Sequence, residues 1–267
     1  MVILNSIKKG LLLIFKILLA LYIVVCGLLF FFQERLIFFP QKLDKSYQFQ
    51  FEQNFEEINI SSEDGVVLNG LLFKADSSKG LIFYLHGNSG SVASYGNIAK
   101  TYTDLSYDVF ILDYRSFGKS GGKINNQNQL FQDNQIIYDE LKKMYREDDI
   151  VILGYSIGTG LATKLASQNN PKRLILEAPY YSLIDMMKHT YSFAPTFMLK
   201  YKFETNEYLK ECDMPISIFH GTQDNVIYFE SSLKLKEEFG SKITLTLLEN
   251  QGHNGIASNK IYKPEPD

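Results

Sequence analysis

Hydrophobic and polar positions divide the chain into two unlike parts. Residues 11–32 are apolar except for Lys16, whereas short apolar runs alternate with amphipathic stretches from residue 56 onward. As a helix, roughly 22 apolar residues would be ~33 Å long, enough to cross the hydrocarbon core of a bilayer. We therefore predict a tail and transmembrane anchor at 1–35, a juxtamembrane connector at 36–55 and one globular domain at 56–267.

The apolar run has the features of an anchor rather than of a cleaved signal or a core helix. A cleaved signal has a shorter apolar region followed by a small-x-small site, and neither is present. Cys26 does not fit a lipoprotein cysteine, because Val25 precedes it and the apolar run continues beyond it. Lys16 is expected to extend its amine to the interface. Residues 36–40 continue the apolar character and are expected to lie against the membrane surface.

The second part predicts strands that alternate with helices. Short β-branched or apolar runs predict strands at 58–60, 66–73, 80–85, 108–112, 150–153, 173–177, 216–220 and 243–248. Helical periodicity is found at 92–105, 130–145 and 231–239, and after Ser156 in the spacing of Leu161, Ala162, Leu165 and Ala166, whereas 185–209 is Met-rich, aromatic and irregular. An Asp64-Gly65 turn makes the first two strands a hairpin. This alternation predicts a parallel sheet with helices on both faces and a site at the carboxyl ends of its strands.

Charge and cysteine usage exclude several classes of protein. The net charge is -3 and the pI is near 5.9, so no basic footprint for nucleic acid exists. Cys26 and Cys212 are far apart in sequence and are not expected to form a disulfide. No His, Cys or Asp spacing resembles a metal site. We therefore expect no nucleic-acid partner, no metal and no cofactor.

One stretch carries a specific chemical signal. Residues 154–158 read Gly-Tyr-Ser-Ile-Gly between an apolar strand and a helix, which is the context of a nucleophile elbow. The turn would lift the Ser156 hydroxyl above the sheet, and glycines would keep Cβ atoms out of the crowded turn. The helix N-terminus would face any anion formed there. A structural turn that happens to contain serine is the alternative interpretation.

Further blocks make the chain resemble the α/β-hydrolase superfamily, and within it the small membrane-anchored serine hydrolases. They are H-G-N-x-G at 86–90, D-Y-R at the start of 113–122, and the elbow. Ser116 stands where this group usually has glycine, and the chain is short after His253. The resemblance covers about Glu56 to His253. It implies the α/β-hydrolase fold, with a mostly parallel central sheet and helices on both faces, in a catalytic domain spanning 56–267.

The resemblance also implies a Ser-Asp-His order of catalytic residues. Ser156 is the expected nucleophile, Asp224 the acid and His253 the base. Glu177, at the end of a strand, is the rival acid, because some members of the superfamily take the acid from that strand. The other histidines are interpreted as structural: turn residues at 86 and 220, and a surface or cap residue at 189.

The backbone N–H groups of Asn88 and Ile157 are the expected oxyanion hole. Residues 113–115 are interpreted as a structural loop that holds the end of a strand. Apolar residues within 185–209 could form a small cap that binds substrate, and ordinary packing against the sheet is the alternative. The cap candidates are Met187, Phe193, Phe197 and Met198, with Met186, Tyr201 and Phe203 beside them.

Taken together, the sequence predicts a serine hydrolase of carboxylic esters or thioesters, with a small-molecule or lipid-like acyl substrate favoured. The alternatives are an aminopeptidase-like amidase on the same fold and a non-catalytic, membrane-tethered binding protein. A membrane contact through residues 11–32 makes the protein single-pass. Lys8 and Lys9 lie close before the span on a short tail, so the catalytic domain is expected on the extracytoplasmic side.

Overall fold

The computed structural model describes residues 2–191 and 195–264. Eight strands form the central sheet and two short strands pair with each other beside it. In chain order the strands are β1 (Phe39–Pro40), β2 (Phe55–Ser61), β3 (Val67–Phe73), β4 (Leu81–Leu85), β5 (Ser89–Gly90), β6 (Asp108–Asp113), β7 (Ile150–Tyr155), β8 (Arg173–Glu177), β9 (Ile216–Gly221) and β10 (Ile243–Leu248).

The order across the sheet is β10, β9, β8, β7, β4, β6, β3, β2. The β2–β3 hairpin and the β3–β6 pair are antiparallel, and the other pairs are parallel. After β6 the chain passes β4 to form β7 on the other side. The carboxyl ends near β4 and β7 are therefore a topological switch point, where ligands bind in open α/β sheets. The predicted fold is confirmed.

Helices lie along the sheet and at the N-terminus. In chain order they are α1 (Val2–Phe31), α2 (Gln33–Ile37), α3 (Val92–Tyr95), α4 (Ala99–Thr103), α5 (Gln127–Leu141), α6 (Gly158–Ala166), α7 (Leu183–Thr190), α8 (Thr205–Leu209) and α9 (Glu230–Phe239). Single 3₁₀ turns occupy Gly96–Ile98, Glu147–Asp149, Thr196–Met198, Gly240–Lys242 and Ile256–Ser258.

Two hydrophobic cores form on opposite faces of the sheet, as the alternation of side chains along a strand requires. In β4, Phe83 packs in the core that includes Leu161 of α6 and Tyr138 of α5. Its neighbour Tyr84 faces the other way, into the core that includes Tyr102 of α4. Helices therefore cover both faces, and the central strands are buried along their whole length.

Two predicted segments differ from the structure in detail. The helix expected at 92–105 is divided at Gly96, where the ring of Phe51 lies 2.3 Å from the position a Cβ would take. Glycine allows this close approach but weakens a helix, and a 3₁₀ turn replaces one helical turn. The irregular segment contains α7, which begins where the Ser182 hydroxyl caps the N–H of Asp185 at 3.0 Å.

The N-terminal helix α1 contains the one candidate membrane span in the described part of the chain, Ile3–Phe31. Nearly all of its apolar side chains are exposed rather than packed against the domain. Residues 36–55, predicted as a juxtamembrane connector, lie along the globular domain. Phe38 is buried in the core, and β1 pairs with β5. The expectation that 36–40 lies against the membrane surface is therefore wrong for the buried Phe38 and stays a prediction for the exposed Leu36 and Phe39.

Candidate active site

Ser156 stands at the sharp turn between β7 and α6. Its φ is +55°, in the left-handed region, which costs a non-glycine residue roughly 1–2 kcal/mol. Its N–H donates to the Glu177 carbonyl at 2.9 Å, and this bond holds the turn against β8. A Cβ on Gly154 would lie 2.6 Å from the Gly158 carbonyl oxygen, and one on Gly158 would lie 2.1 Å from that of Leu85. Both elbow glycines are therefore required by close packing.

His253 lies in the loop after β10 and reaches the serine. Its Nε2 is 3.0 Å from the Ser156 Oγ, and its Nδ1 is 2.7 Å from Asp224 Oδ2. The Tyr155 hydroxyl donates to the Asn254 Oδ1 at 2.8 Å and to the His253 carbonyl at 3.3 Å, which fixes the loop. The structure thus brings together the three residues expected as nucleophile, base and acid.

Asp224 lies in the loop after β9, which is tied to the His253 loop. The Gln223 N–H donates to the Gln251 carbonyl at 2.9 Å. A Cβ on Gly221 would lie 2.2 Å from that same carbonyl oxygen, so glycine lets the two loops approach. Gly221, which was predicted only as part of a turn with His220, therefore also allows the loops after β9 and β10 to pack together.

Hydrogen-bond donors surround both oxygens of the Asp224 carboxylate. Oδ1 accepts from the N–H groups of Val226 and Ile227, each at 2.8 Å, and Oδ2 faces His253 and His220. Burial alone would raise the pKa of Asp224. The hydrogen bonds from His220 and His253 outweigh that effect and hold the pKa well below its usual range. The carboxylate is consequently ionised at neutral pH.

His220 has a role that the sequence did not reveal. Its Nε2 lies 3.2 Å from Asp224 Oδ2 and 2.9 Å from the Ile227 carbonyl oxygen, and its Nδ1 lies 2.7 Å from the Ser232 Oγ. Because both neighbours of Nε2 are acceptors, that nitrogen carries the proton. A buried histidine therefore orients the carboxylate that orients His253. The spacing of four residues between His220 and Asp224 was the available signal.

Glu177, the rival acid, faces away from His253. Its Oε1 accepts from the Tyr262 hydroxyl at 2.6 Å and from the Tyr102 hydroxyl at 2.9 Å. Burial raises its pKa to about 7, although the two tyrosine hydrogen bonds lower it. Glu177 thus joins β8 to α4 and to the C-terminal segment, and Asp224 is the acid that contacts the histidine.

The two N–H groups expected to form an oxyanion hole lie on the loops after β4 and β7. Within residues 2–191 and 195–264, neither the Asn88 nor the Ile157 N–H donates to a protein acceptor. The carbonyl oxygen of Asn88 accepts from the Phe39 N–H at 2.7 Å, and its side-chain amide donates to the Ile37 carbonyl at 2.8 Å. The loop that contains Asn88 is therefore positioned by the segment that follows α1.

The loop at 113–115 is structural in its contacts. Asp113 Oδ1 accepts from the Val92 N–H at 2.8 Å, and burial raises the Asp113 pKa to about 7. Arg115 pairs with Asp133 and Asp64, which joins the end of β6 to α5 and to the hairpin turn. Ser116 has a φ of +72°, in the left-handed region that favours glycine, the residue that the resemblance led us to expect at this position.

The cap candidates are distributed over different environments. Met187 on α7 and Met198 in the following 3₁₀ turn are half-buried, whereas Phe197 is 86% exposed. Phe193 lies outside the described residues. Tyr201 and Phe203 are fully buried in the core, so their assignment to a cap is wrong. Their packing against the helices beside the sheet explains the apolar character of that part of the sequence.

No group of three or more His, Cys, Asp or Glu side chains could hold a metal ion in the ranges the structure describes. The arrangement can instead perform nucleophilic chemistry: a serine at a helix N-terminus, a histidine within hydrogen-bond distance, and an ionised carboxylate on the other ring nitrogen.

An elbow serine, an acid after β9 and a histidine after β10 on a sheet of this strand order define an α/β hydrolase. The chain belongs to that superfamily. A family model described as serine aminopeptidase, S33, matches residues 76–206.

Individual relatives are more distant. An uncharacterized protein of Acanthamoeba polyphaga mimivirus is 28% identical over an alignment of 235 residues that covers 79% of this chain and 80% of that protein. The lysophosphatidylserine lipase ABHD12 of Macaca fascicularis is 29% identical over 180 residues. That match covers 60% of this chain and 45% of the lipase, so the chain spans about half the length of this relative.

Solved structures show the same fold. The Pyrococcus furiosus esterase Pf2001 superposes with a TM-score of 0.65 at 20% identity, covering 81% of this chain and 89% of the esterase. The globular part of the chain is therefore similar to hydrolases that include a lipase and an esterase.

Proposed function

We propose that the protein is a membrane-anchored serine hydrolase that cleaves a carboxylic ester or thioester, with a lipid-like acyl group favoured. The observation that carries this proposal is the continuous hydrogen-bond chain from Ser156 Oγ through His253 to Asp224 Oδ2, with distances of 3.0 and 2.7 Å. Without a base, a serine hydroxyl is a weak nucleophile at neutral pH.

In the proposed mechanism, His253 Nε2 accepts the Ser156 proton as the hydroxyl oxygen attacks the substrate carbonyl. Nδ1–H donates to Asp224, which selects the ring tautomer and stabilises the imidazolium that forms. The oxyanion accepts from the N–H groups of Asn88 and Ile157, and the start of α6 adds its dipole. His253 then returns the proton to the leaving alcohol or thiol. A water molecule, deprotonated by the same histidine, hydrolyses the acyl-enzyme.

Three observations support an acyl ester as the substrate. The candidate span Ile3–Phe31 would hold the domain at a membrane, the matched lipase is a lysophosphatidylserine lipase, and the superposed structure is an esterase. An amidase is the second candidate because the matched model is described as an aminopeptidase. Selection for a free amine generally needs acidic groups in a sizeable cap. The described residues of 178–215 form the short helices α7 and α8, and residues from Tyr201 onward pack into the core, so they do not form a cap of that size.

The nucleophile is tested with a fluorophosphonate probe on the full chain in detergent. We expect labelling of the native protein and its loss in Ser156→Ala, with kcat for ester hydrolysis lowered by several orders of magnitude. Ser167→Ala, which changes a half-buried serine after α6, is the matched control and should label normally. Full labelling of Ser156→Ala would show that another residue is the nucleophile.

The reaction class is tested by comparing p-nitrophenyl acyl esters of graded chain length with aminoacyl p-nitroanilides. We expect ester hydrolysis without added metal, undiminished by EDTA, because the proposed chemistry uses protein groups alone. Faster turnover of the anilides would favour the amidase, and loss of activity in EDTA that zinc or calcium restores would contradict the mechanism.

A further inference from the structure

The base of the anchor is bound to the catalytic domain through a buried side chain. Gln33, the first residue of α2, is 7% exposed although it follows the candidate span closely. Its Nε2 donates to the Met198 carbonyl at 2.7 Å, and its Oε1 accepts from the Lys200 N–H at 2.8 Å. Both ends of the amide are thus used, and the orientation of the amide is fixed by the segment between α7 and α8.

Neighbouring residues extend this contact to the two loops that border the site. Glu34 Oε1 lies 3.3 Å from Lys200 Nζ and accepts from the Tyr201 hydroxyl at 3.1 Å. The Phe38 ring meets Tyr201 edge to face at 5.4 Å. On the other side, β1 pairs with β5 directly after Asn88. A short stretch after the span therefore contacts both the segment that follows β8 and the Asn88 loop that follows β4.

Both contacted segments leave the sheet at the carboxyl ends of parallel strands, the edge at which Ser156 lies. The candidate span consequently ends at the same edge as the active site. The segments that make these contacts also carry several exposed aromatic and aliphatic side chains: Phe31, Phe32, Leu36, Phe39 and Phe197. Phe197 directly precedes the Met198 carbonyl that Gln33 binds, and at 86% it is the most exposed large apolar side chain described.

We propose that this edge of the domain is a bilayer-facing surface, with Phe197 inserted into the membrane interface beside the anchor. We define the surface as Phe32, Leu36, Phe39 and Phe197. The occupant is the lipid bilayer because the surface is continuous with the end of the span and because the Gln33 contacts prevent the domain from turning this edge away. The inference deepens the proposed function: the acyl ester would be a lipid taken from the membrane that holds the anchor.

The chain contains no tryptophan, so a single introduced one reports its own surroundings. Phe197→Trp is prepared in the full chain carrying Ser156→Ala and reconstituted into phosphatidylcholine vesicles with or without brominated acyl chains. Phe31→Trp, at the end of the span, is the positive control. Met144→Trp is the negative control: Met144 is exposed, and it precedes Tyr145, whose hydroxyl bonds Asp108 at the opposite end of the sheet.

Brominated lipid should quench the fluorescence of Phe197→Trp and Phe31→Trp at least roughly twofold and leave that of Met144→Trp unchanged, because bromine quenches only on close approach. Quenching in Phe197→Trp no stronger than in Met144→Trp would overturn the proposal. A blue-shifted emission from Phe197→Trp that bromine does not quench would also overturn it, since a protein partner or a second copy would then cover the surface. The measurement needs no catalysis, so its outcome is independent of whether Ser156 is the nucleophile.

A functional arm compares a long-chain acyl ester in vesicles with a short water-soluble ester. Phe197→Asp should lower the rate on the vesicle ester relative to the rate on the soluble ester roughly tenfold, because an aromatic side chain is lost from an apolar environment and a charge is added. Met144→Asp is the matched control and should leave the ratio near that of the native protein. An unchanged ratio in Phe197→Asp would contradict uptake of substrate through this surface.

Discussion

At the residue scale, the site depends on how Asp224 is held. Two backbone N–H groups and two histidines surround its carboxylate, so both oxygens are satisfied in a largely buried position. A buried charge is stable only with such partners. Because the pKa of Asp224 is lower in the folded than in the unfolded protein, its ionised carboxylate stabilises the fold. This stabilisation is complete above the unfolded pKa near 3.8 and is lost as the pH falls through the folded pKa.

We predict that Asp224→Asn lowers kcat by roughly 10⁴, because an amide facing Nδ1 selects the wrong imidazole tautomer. Steady-state kinetics on a p-nitrophenyl ester, normalised to folded protein, measures the effect. Glu177→Gln is the matched carboxyl-to-amide control. It should cost less than about tenfold, because Glu177 bonds tyrosines and not His253. A greater loss in Glu177→Gln would exchange the two roles.

At the scale of elements, Glu177 joins three parts of the fold. Its carboxyl at the end of β8 accepts hydrogen bonds from the hydroxyls of Tyr102 of α4 and Tyr262 in the C-terminal segment, and these two hydroxyl oxygens lie 3.0 Å apart. Burial makes the neutral acid the favoured form up to about pH 7. The cluster is therefore most stable when the carboxyl is protonated.

This cluster predicts a pH dependence of stability. With a pKa raised from 4.5 to about 7, the folded state binds more protons than the unfolded state between those values. The free energy of unfolding then falls as the pH rises through that interval. Glu177 contributes at most roughly 3 kcal/mol to this fall. Glu177→Gln should remove that fall, which denaturant unfolding at pH 5 and 8 would measure.

The variant is compared with the native chain because other buried groups titrate nearby. Burial also raises the pKa of Asp113 to about 7 and lowers that of His86 to about 4. These two groups remain in both proteins, so the difference isolates Glu177. An identical pH dependence in the two proteins would show that Glu177 is ionised in the fold already at low pH.

At the scale of the whole molecule, the helix that contains the candidate span and the globular domain are joined by specific contacts rather than by a free linker. Phe38 lies in the core and Gln33 is buried. The side of the membrane on which the domain lies remains a prediction from charge. Lys8 and Lys9 lie closest to the span, whereas Arg35, Lys42 and Lys45 follow it, and positive charge next to a span favours retention of that flank in the cytoplasm.

We therefore predict that the catalytic domain is extracytoplasmic. Alkaline phosphatase fused after Asp267 should be active, and a fluorescent protein that matures only in the cytoplasm should be dark in the same position. Lys8→Glu with Lys9→Glu is the matched variant and should reduce phosphatase activity by weakening the charge bias. A bright fluorescent fusion with inactive phosphatase would contradict the predicted orientation.

Local patterns in the sequence determined much of this protein. The N-terminal apolar run, the short apolar runs of the strands and the Gly154-to-Gly158 turn each lie within a short stretch, where side-chain pattern and turn chemistry act directly. The parallel sheet with helices on both faces followed from the alternation of strands and helices, whereas the order of the strands is known from the structure alone. Ser156 and His253 were predicted as nucleophile and base from their order in the chain, which the resemblance supplied.

Tertiary structure alone decided between groups with equivalent local signals. Asp224 and Glu177 both end strands, and only the approach of loops from β9 and β10 shows which carboxylate meets His253. The second histidine at Asp224, and the Gln33 contact with residues more than a hundred positions away, likewise arise from chain packing. Periodicity reports which face of an element is buried. The partner that a buried polar group finds there depends on the whole fold.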